Sequence, residues 1–241
     1  MKRKKTNIIG ILLIVVVIAI TIAYHINSTK SKNRYIVKIG IIDAYIPEET
    51  LDKMGIISIN YTNNNDKNNY NEHGEVTLNI IKNECKSNNI FYASVLNNNN
   101  TSSIENVVSA IEWCISNKVD IICMSFATPI DNIHLKNAIQ QAKDAHIIIT
   151  ASCINLSDID CYPAMYKNVI SVSEGMNKNA TIKMKNRKMK VKINGKIIEK
   201  QGTSISNAYV CGYIANQISQ GNRKVEKILK KLNDNIKIIQ F

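Results

Sequence analysis

Glycine and proline are scarce in this chain, nine and three among 241 residues. Collagen-like repeats need a glycine at every third position and Pro/Gly-rich disorder needs far more of both, so those classes are excluded. Aromatic residues make up only 6%, with one tryptophan, which leaves aliphatic side chains to build any core. The six cysteines show no C-x-x-C and no histidine-paired spacing, so no zinc-site pattern is present. No segment repeats at a fixed period, which excludes a solenoid. Acidic residues are missing altogether from residues 1–34, which carry seven basic ones. The rest of the chain then holds 24 basic against 19 acidic residues, and nine of those basic residues, with Glu199 alone opposing them, fall between Lys178 and Lys200. The formal net charge of +12 is thus a property of a leader and one ribbon. With no helix-turn-helix, zinc or RNA-binding signature beside it, it does not indicate a nucleic-acid partner.

The single long apolar run is Ile8 to Tyr24, seventeen residues without a charge, preceded by Lys2-Arg3-Lys4-Lys5. At about 1.5 Å per residue such a helix covers most of a hydrocarbon core about 30 Å thick. A cleavable signal peptide and a buried core helix are the rivals. The run exceeds the usual signal-peptide core and no clean A-x-A site follows it, although Thr21-Ile22-Ala23 is a weak one. Apolar residues lie on every face and a basic cluster abuts them, unlike a core helix. The expectation is an uncleaved transmembrane anchor within residues 1–34, its amino end cytoplasmic by the positive-inside rule, and one domain over residues 35–241 outside the membrane. The Ile, Lys and Asn bias suits an AT-rich bacterial genome.

Beyond the anchor, apolar runs of strand length alternate with runs of helical period: strands at 36–42, 90–95, 119–125, 146–151 and 168–173, helices at 73–85, 103–117, 131–144, 204–219 and 221–233. That alternation predicts an α/β fold with a central, mostly parallel sheet covered on both faces. Asn194-Gly195 between alternating segments predicts a β-hairpin in the basic ribbon. In open parallel sheets ligands bind beyond the carboxyl ends of the strands, and Asp43, Ser125 and Asn155 all fall at such ends.

Three residues there have complementary chemistry. Ser204, in Q-G-T-S-I-S-N-A-Y-V-C-G-Y, opens a helix whose N-terminal N–H groups and dipole stabilise an oxyanion. Asp43 ends the strand I-G-I-I-D, and His73 opens the helical run E-H-G-E-V-T-L-N-I-I. Each has an ordinary structural alternative: a helix N-cap, a strand-end turn residue, a surface histidine. Together, in the order Asp, His, Ser, they make a nucleophile, a base and an orienting carboxylate. The chain resembles a subtilisin-like serine peptidase. I-G-I-I-D-A resembles the strand ending in that family's D-[ST]-G, H-G-E-V-T-L-N-I-I its H-G-T-x-V-A-G-I-I, and G-T-S-I-S-N-A-Y-V-C-G its G-T-S-M-[AS]-x-P-x-V-[AS]-G. I-I-I-T-A-S-C-I-N is similar to its V-L-V-V-A-A-A-G-N.

The resemblance covers roughly Tyr35 to Gln217 and implies a three-layer subtilisin-like fold. It implies that Asp43, His73 and Ser204 form a catalytic triad, that Asn155 donates to the oxyanion, and that Ser125, Phe126 and Ala127 present a backbone edge to an extended peptide or protein substrate. No cofactor is expected. The pattern is altered at several points: Ala44 and Tyr45 follow the aspartate, Glu75 replaces a threonine, Ile154 and Ala127 replace glycines, and Ala208 replaces a proline. An inactive peptide-binding relative is therefore the alternative to a serine endopeptidase. Two further expectations concern the surroundings. Lys183 to Lys200 forms an exposed basic hairpin beside the cleft, either a solvated face or a contact for anionic surfaces. Cys114, Cys123 and Cys211 are packing residues, whereas Cys153 and Cys161 flank a polar loop that a disulfide would close on an oxidising side of the membrane.

Overall fold

The computed structural model describes residues 15–22, 34–62, 72–154, 159–175, 180–184, 188–193 and 195–239. The chain divides into two units, Met1–Tyr35 and Ile36–Phe241. In the first, residues 15–22 are helical (α1), with Val15, Ile18, Ile20 and Ile22 all exposed. Among the described residues no helix is long and apolar enough to cross a membrane. Much of the expected span Ile8 to Tyr24 lies outside them.

The second unit is an α/β domain built on a seven-stranded sheet in the order β2-β3-β1-β4-β5-β6-β7. Its strands are β1 (Val37–Ala44), β2 (Ile57–Asn60), β3 (Asn88–Leu96), β4 (Ile121–Met124), β5 (Ile148–Ser152), β6 (Val169–Ser173) and β7 (Ile182–Lys183). Every pairing between neighbours in this sheet is parallel. The period of two along each strand sorts side chains into two cores. Val37, Ile39 and Ile41 of β1, with Ile121 and Cys123 of β4, pack on one face under α3 (His73–Glu84), α6 (Thr203–Ser219) and α7 (Val225–Ile239). Ile42 and Ala44, with Ile122 and Met124, pack on the other under α4 (Ile104–Ser116) and α5 (Ile133–Asp144). The same parity carries Asp43 and Ser125 to the α3/α6 side, and that places the site.

Caps explain where helices begin. Ser103 accepts from the Asn106 N–H ahead of α4, and Asn132 accepts from the His134 and Leu135 N–H groups ahead of α5, so each helix starts a residue or two later than periodicity alone predicts. The terminal helix starts at Val225 and not at 221, because α6 closes with the Gly221 N–H bonded to Ile218 O and the Asn222 N–H to Gln217 O. Helix α2 (Glu48–Lys53) and strands β2 and β7, of six, four and two residues, are too short to show a period and were not anticipated. The basic hairpin pairs β8 (Met189–Ile193) with β9 (Lys196–Lys200) in antiparallel register. Lys183 is not part of it: it belongs to the edge strand β7 of the main sheet.

Candidate active site

Asp43 sits one residue before the end of β1 and is fully buried. The β1/β3 register slips between Asp43 and Ala44, a local irregularity of the kind that re-aims side chains beside functional sites. A buried carboxylate needs its lone pairs met inside the protein. Asp43 Oδ1 accepts the Ala44 N–H at 2.6 Å and faces His73 Nδ1 at 2.6 Å. Its other oxygen, Oδ2, lies 2.9 Å from Thr77 Oγ1.

His73 is the first residue of α3, with its side chain 29% exposed. The Asp43 charge raises its proton affinity above the ordinary histidine range; partial burial pulls the other way, and the hydrogen bond to Asp43 adds to the rise. Gly74 explains the H-G pair. A Cβ at that position would stand 2.2 Å from Tyr92 Oη and 2.7 Å from Ala44 O. Tyr92, wholly buried on β3, donates its hydroxyl to Ala44 O at 2.6 Å. Burial, then the charges of Asp43 and Glu75, hold the phenol well above its usual pKa, so it remains a donor. Tyr92 therefore pins the residue after the aspartate to the residue after the histidine.

Ser204 is the second residue of α6 and does not cap it; the cap is Gly202, at φ 135°. That backbone conformation is one that side chains with a Cβ rarely adopt. Glu174 accepts the Gly202 N–H at 2.9 Å and fixes the entry to the helix. Ser204 Oγ donates to the Ser125 carbonyl at 2.8 Å, while Ser125 Oγ donates back to Ser204 O at 3.3 Å. Asn207, one turn on and fully buried, places Nδ2 3.1 Å from Met124 O and 3.2 Å from Ser125 Oγ. The first turn of α6 is thus tied to the end of β4, the strand beside β1. Helix N-termini leave their first N–H groups free of intrahelical partners, and Ser204 lies in that turn.

The structure thus brings Asp43 and His73 into direct contact and holds Ser204 against Ser125. Residues 125–127 leave β4 at Met124 and have no assigned pairing in the sheet before Thr128 bridges Tyr162; Ser125 is buried, Phe126 and Ala127 partly so. Asn155 lies outside the described residues. A polar cavity of about 510 Å³ opens on the same carboxyl edge of the sheet, lined by Thr62, Asn97, Thr101, Ser103 and Asn106 among others. All six cysteines are free thiols and buried, so the Cys153–Cys161 disulfide considered from the sequence is not formed. Burial, then the neighbouring Cys161, push the Cys153 thiol up to about 12. Among the described residues no group of His, Cys, Asp or Glu is arranged to hold a metal ion. The hairpin reaches the site through Lys200, which pairs with Glu72, the residue before His73.

Four supporting residues escaped sequence reasoning: Thr77, Tyr92, Glu174 and Asn207. Thr77 had a signal, since i+4 from His73 puts both on one face of α3. Tyr92, Glu174 and Asn207 act across elements distant in sequence, and no local pattern marks them.

Comparison with known proteins adds family membership to this geometry. The family model for the subtilase family matches residues 37–232. Subtilisin DY of Bacillus licheniformis is 28% identical over 151 residues, covering 56% of this chain and 55% of that protein. The minor extracellular protease Epr of Bacillus subtilis (strain 168) is 27% identical over 128 residues, 52% of this chain and 19% of Epr. The thermostable alkaline protease of Halalkalibacterium halodurans is 31% identical over 85 residues, 35% of this chain and 24% of that protein. The aligned stretch thus spans about half of Subtilisin DY and about a fifth of Epr. A match running from the first residue of β1 into α7 takes in every strand of the sheet and both site-bearing helices; the chain belongs to the subtilase family.

Proposed function

We propose that the chain is a serine endopeptidase in which Ser204 is the nucleophile, His73 the general base and Asp43 the residue that orients it. The observation that carries this is the 2.6 Å contact of His73 Nδ1 with a buried Asp43, on the side of the sheet where Ser204 begins a helix. With Nδ1–H given to Asp43, the neutral imidazole is fixed in the tautomer whose Nε2 accepts a proton. Ser204 Oγ attacks a peptide carbonyl and passes its proton to His73, which returns it to the leaving amine; Asp43 stabilises the imidazolium formed between. The Ser204 N–H and the Asn155 side chain serve the oxyanion. Residues 125–127, which carry no strand partner, offer their backbone to an extended substrate, Ser125 O once the Ser204 hydroxyl leaves it.

One observation favours the inactive peptide-binding alternative: the Ser204 proton is given to Ser125 O, a carbonyl and not a base. In the enzyme reading a substrate N–H arriving at that carbonyl displaces the hydroxyl and turns it to the base. The test is fluorophosphonate labelling of the full chain with Ser204→Ala as control. A folded wild type that never labels, and binds extended peptides equally with or without the Ser204 hydroxyl, establishes the alternative. Membrane anchoring through residues 8–24, with the domain on the extracytoplasmic side, belongs to the same proposal; it is supported by the charge-free apolar run behind a basic cluster and by the exposed aliphatic side chains of α1. Protease accessibility on intact cells checks it, and protection of the domain refutes it.

A further inference from the structure

The buried Asp43 carboxylate has three donors among the described residues. His73 and the Ala44 N–H share Oδ1, and Oδ2 has the hydroxyl of Thr77 at 2.9 Å. Thr77 is itself fully buried, so water does not substitute for either partner. Its Oγ1 also lies 3.0 Å from Gly74 O, the back-bond to the preceding turn that helical threonines commonly make. A hydroxyl has one proton, and a carboxylate is the stronger acceptor.

We propose that Thr77 is a positioning residue for the Asp43–His73 pair, its hydroxyl holding Oδ2 so that Oδ1 stays aimed at His73 Nδ1. The inference rests on the peptidase reading and adds to it. His73 and Thr77 are four residues apart on α3, so one helix face grips both oxygens of one carboxylate and fixes its plane. The position after the aspartate is Ala44, which supplies a backbone N–H and no hydroxyl. A valine at position 77, as in the family pattern quoted above, would fill the same volume and donate nothing. Without it the carboxylate is free to turn, the contact with His73 Nδ1 loosens, and the histidine loses part of the proton affinity that Asp43 gives it.

The experiment compares the full chain with Thr77→Val and Thr77→Ser by two readouts. One is the titration of the His73 ring followed by NMR, its resonance assigned through its loss in His73→Gln. The other is the pH dependence of fluorophosphonate labelling. Thr77→Val is expected to move the His73 midpoint downward by about half a pH unit and, with the imidazole less well oriented, to slow labelling at neutral pH by about three- to tenfold. Thr77→Ser is expected to restore both. An unmoved His73 midpoint in folded Thr77→Val overturns the proposal and assigns the threonine to the Gly74 back-bond alone. If the valine variant does not fold, Thr77→Ala is read in the same way. A wild type that never labels refutes the peptidase reading, whereas the His73 titration needs no activity and still decides on Thr77.

Discussion

Adding one methyl group at Gly74 tests whether the aspartate and histidine are held together by the packing described above. In Gly74→Ala the new Cβ would stand 2.2 Å from Tyr92 Oη and 2.7 Å from Ala44 O, against ordinary carbon contacts of about 3.5 to 4.0 Å. Overpacking of this kind costs about 1–3 kcal/mol. If the Tyr92 hydroxyl swings aside, it also abandons Ala44 O, and an unsatisfied buried carbonyl adds about 1–3 kcal/mol. The helix preference of alanine over glycine returns only about 0.5–1 kcal/mol. The expected net loss, about 1–5 kcal/mol, is a large part of a typical domain stability of about 5–15 kcal/mol. Tyr92→Phe removes the 2.2 Å contact and leaves the 2.7 Å one, so the double variant should be less destabilised than the sum of the singles, by a coupling of about 0.5–3 kcal/mol. Urea unfolding measures this as a change of midpoint at constant slope, and the labelling rate should fall with Gly74→Ala because His73 is its neighbour. Additive effects, or a Gly74→Ala midpoint equal to wild type, would refute the packing described here.

Ser204→Ala and His73→Ala should each abolish labelling in a domain that still folds, His73→Ala at a cost of about 1–3 kcal/mol because it leaves the buried Asp43 carboxylate one donor short, and Asp43→Asn should fail through the wrong histidine tautomer. Asn155→Ala should be milder, about 10²–10³ in rate, a magnitude established on subtilisin itself; unchanged labelling would remove Asn155 from the oxyanion site. Asp43 raises the proton affinity of His73, so the acid limb of labelling should lie above about pH 6.5. A histidine whose folded pKa is raised stabilises the fold fully below its unfolded value and loses that contribution as pH climbs through the folded value; stability should thus decline over the window in which labelling rises, and His73→Gln should flatten that decline. Replacing the exposed Lys190, Lys192 and Lys196 by Gln should weaken binding to anionic vesicles at low salt, and unchanged binding would leave the hairpin a solvated face.

Five of the seven strands were legible because they are aliphatic and β-branched, and because the helices between them keep a clear period. Asp43, His73 and Ser204 were legible for a different reason: each sits at the boundary of an element, where a polar residue interrupts an apolar pattern. Their support was not. Tyr92 reads as one more core aromatic, and only the shared space of its hydroxyl, Gly74 and Ala44 gives it a role. Ser204 looked like a cap, yet the φ of Gly202 takes that position and leaves the serine inside the first turn. The 153/161 cysteine spacing suited a loop-closing bridge, but both thiols are buried among apolar neighbours in the core on the α4/α5 side. Lys183 ran on from the hairpin in sequence, whereas the sheet edge claimed it through its pairing with Ser173.

Helix α6 touches α3, β1, β4, β5, β6 and α7 and is buried on nearly all sides, and this has a consequence for the order in which a growing chain acquires chemistry. Asp43 lies on β1, His73 on α3 and Tyr92 on β3; all three are made in the first hundred residues. Ser204 follows about a hundred residues later, on the helix that packs against both α3 and the sheet. Asp43 and His73 are thus made well before Ser204, the residue proposed to act with them. Because α6 is also the central helix of the core on the α3 side, the packing that seals that core is the same packing that brings Ser204 to the carboxyl edge of the sheet.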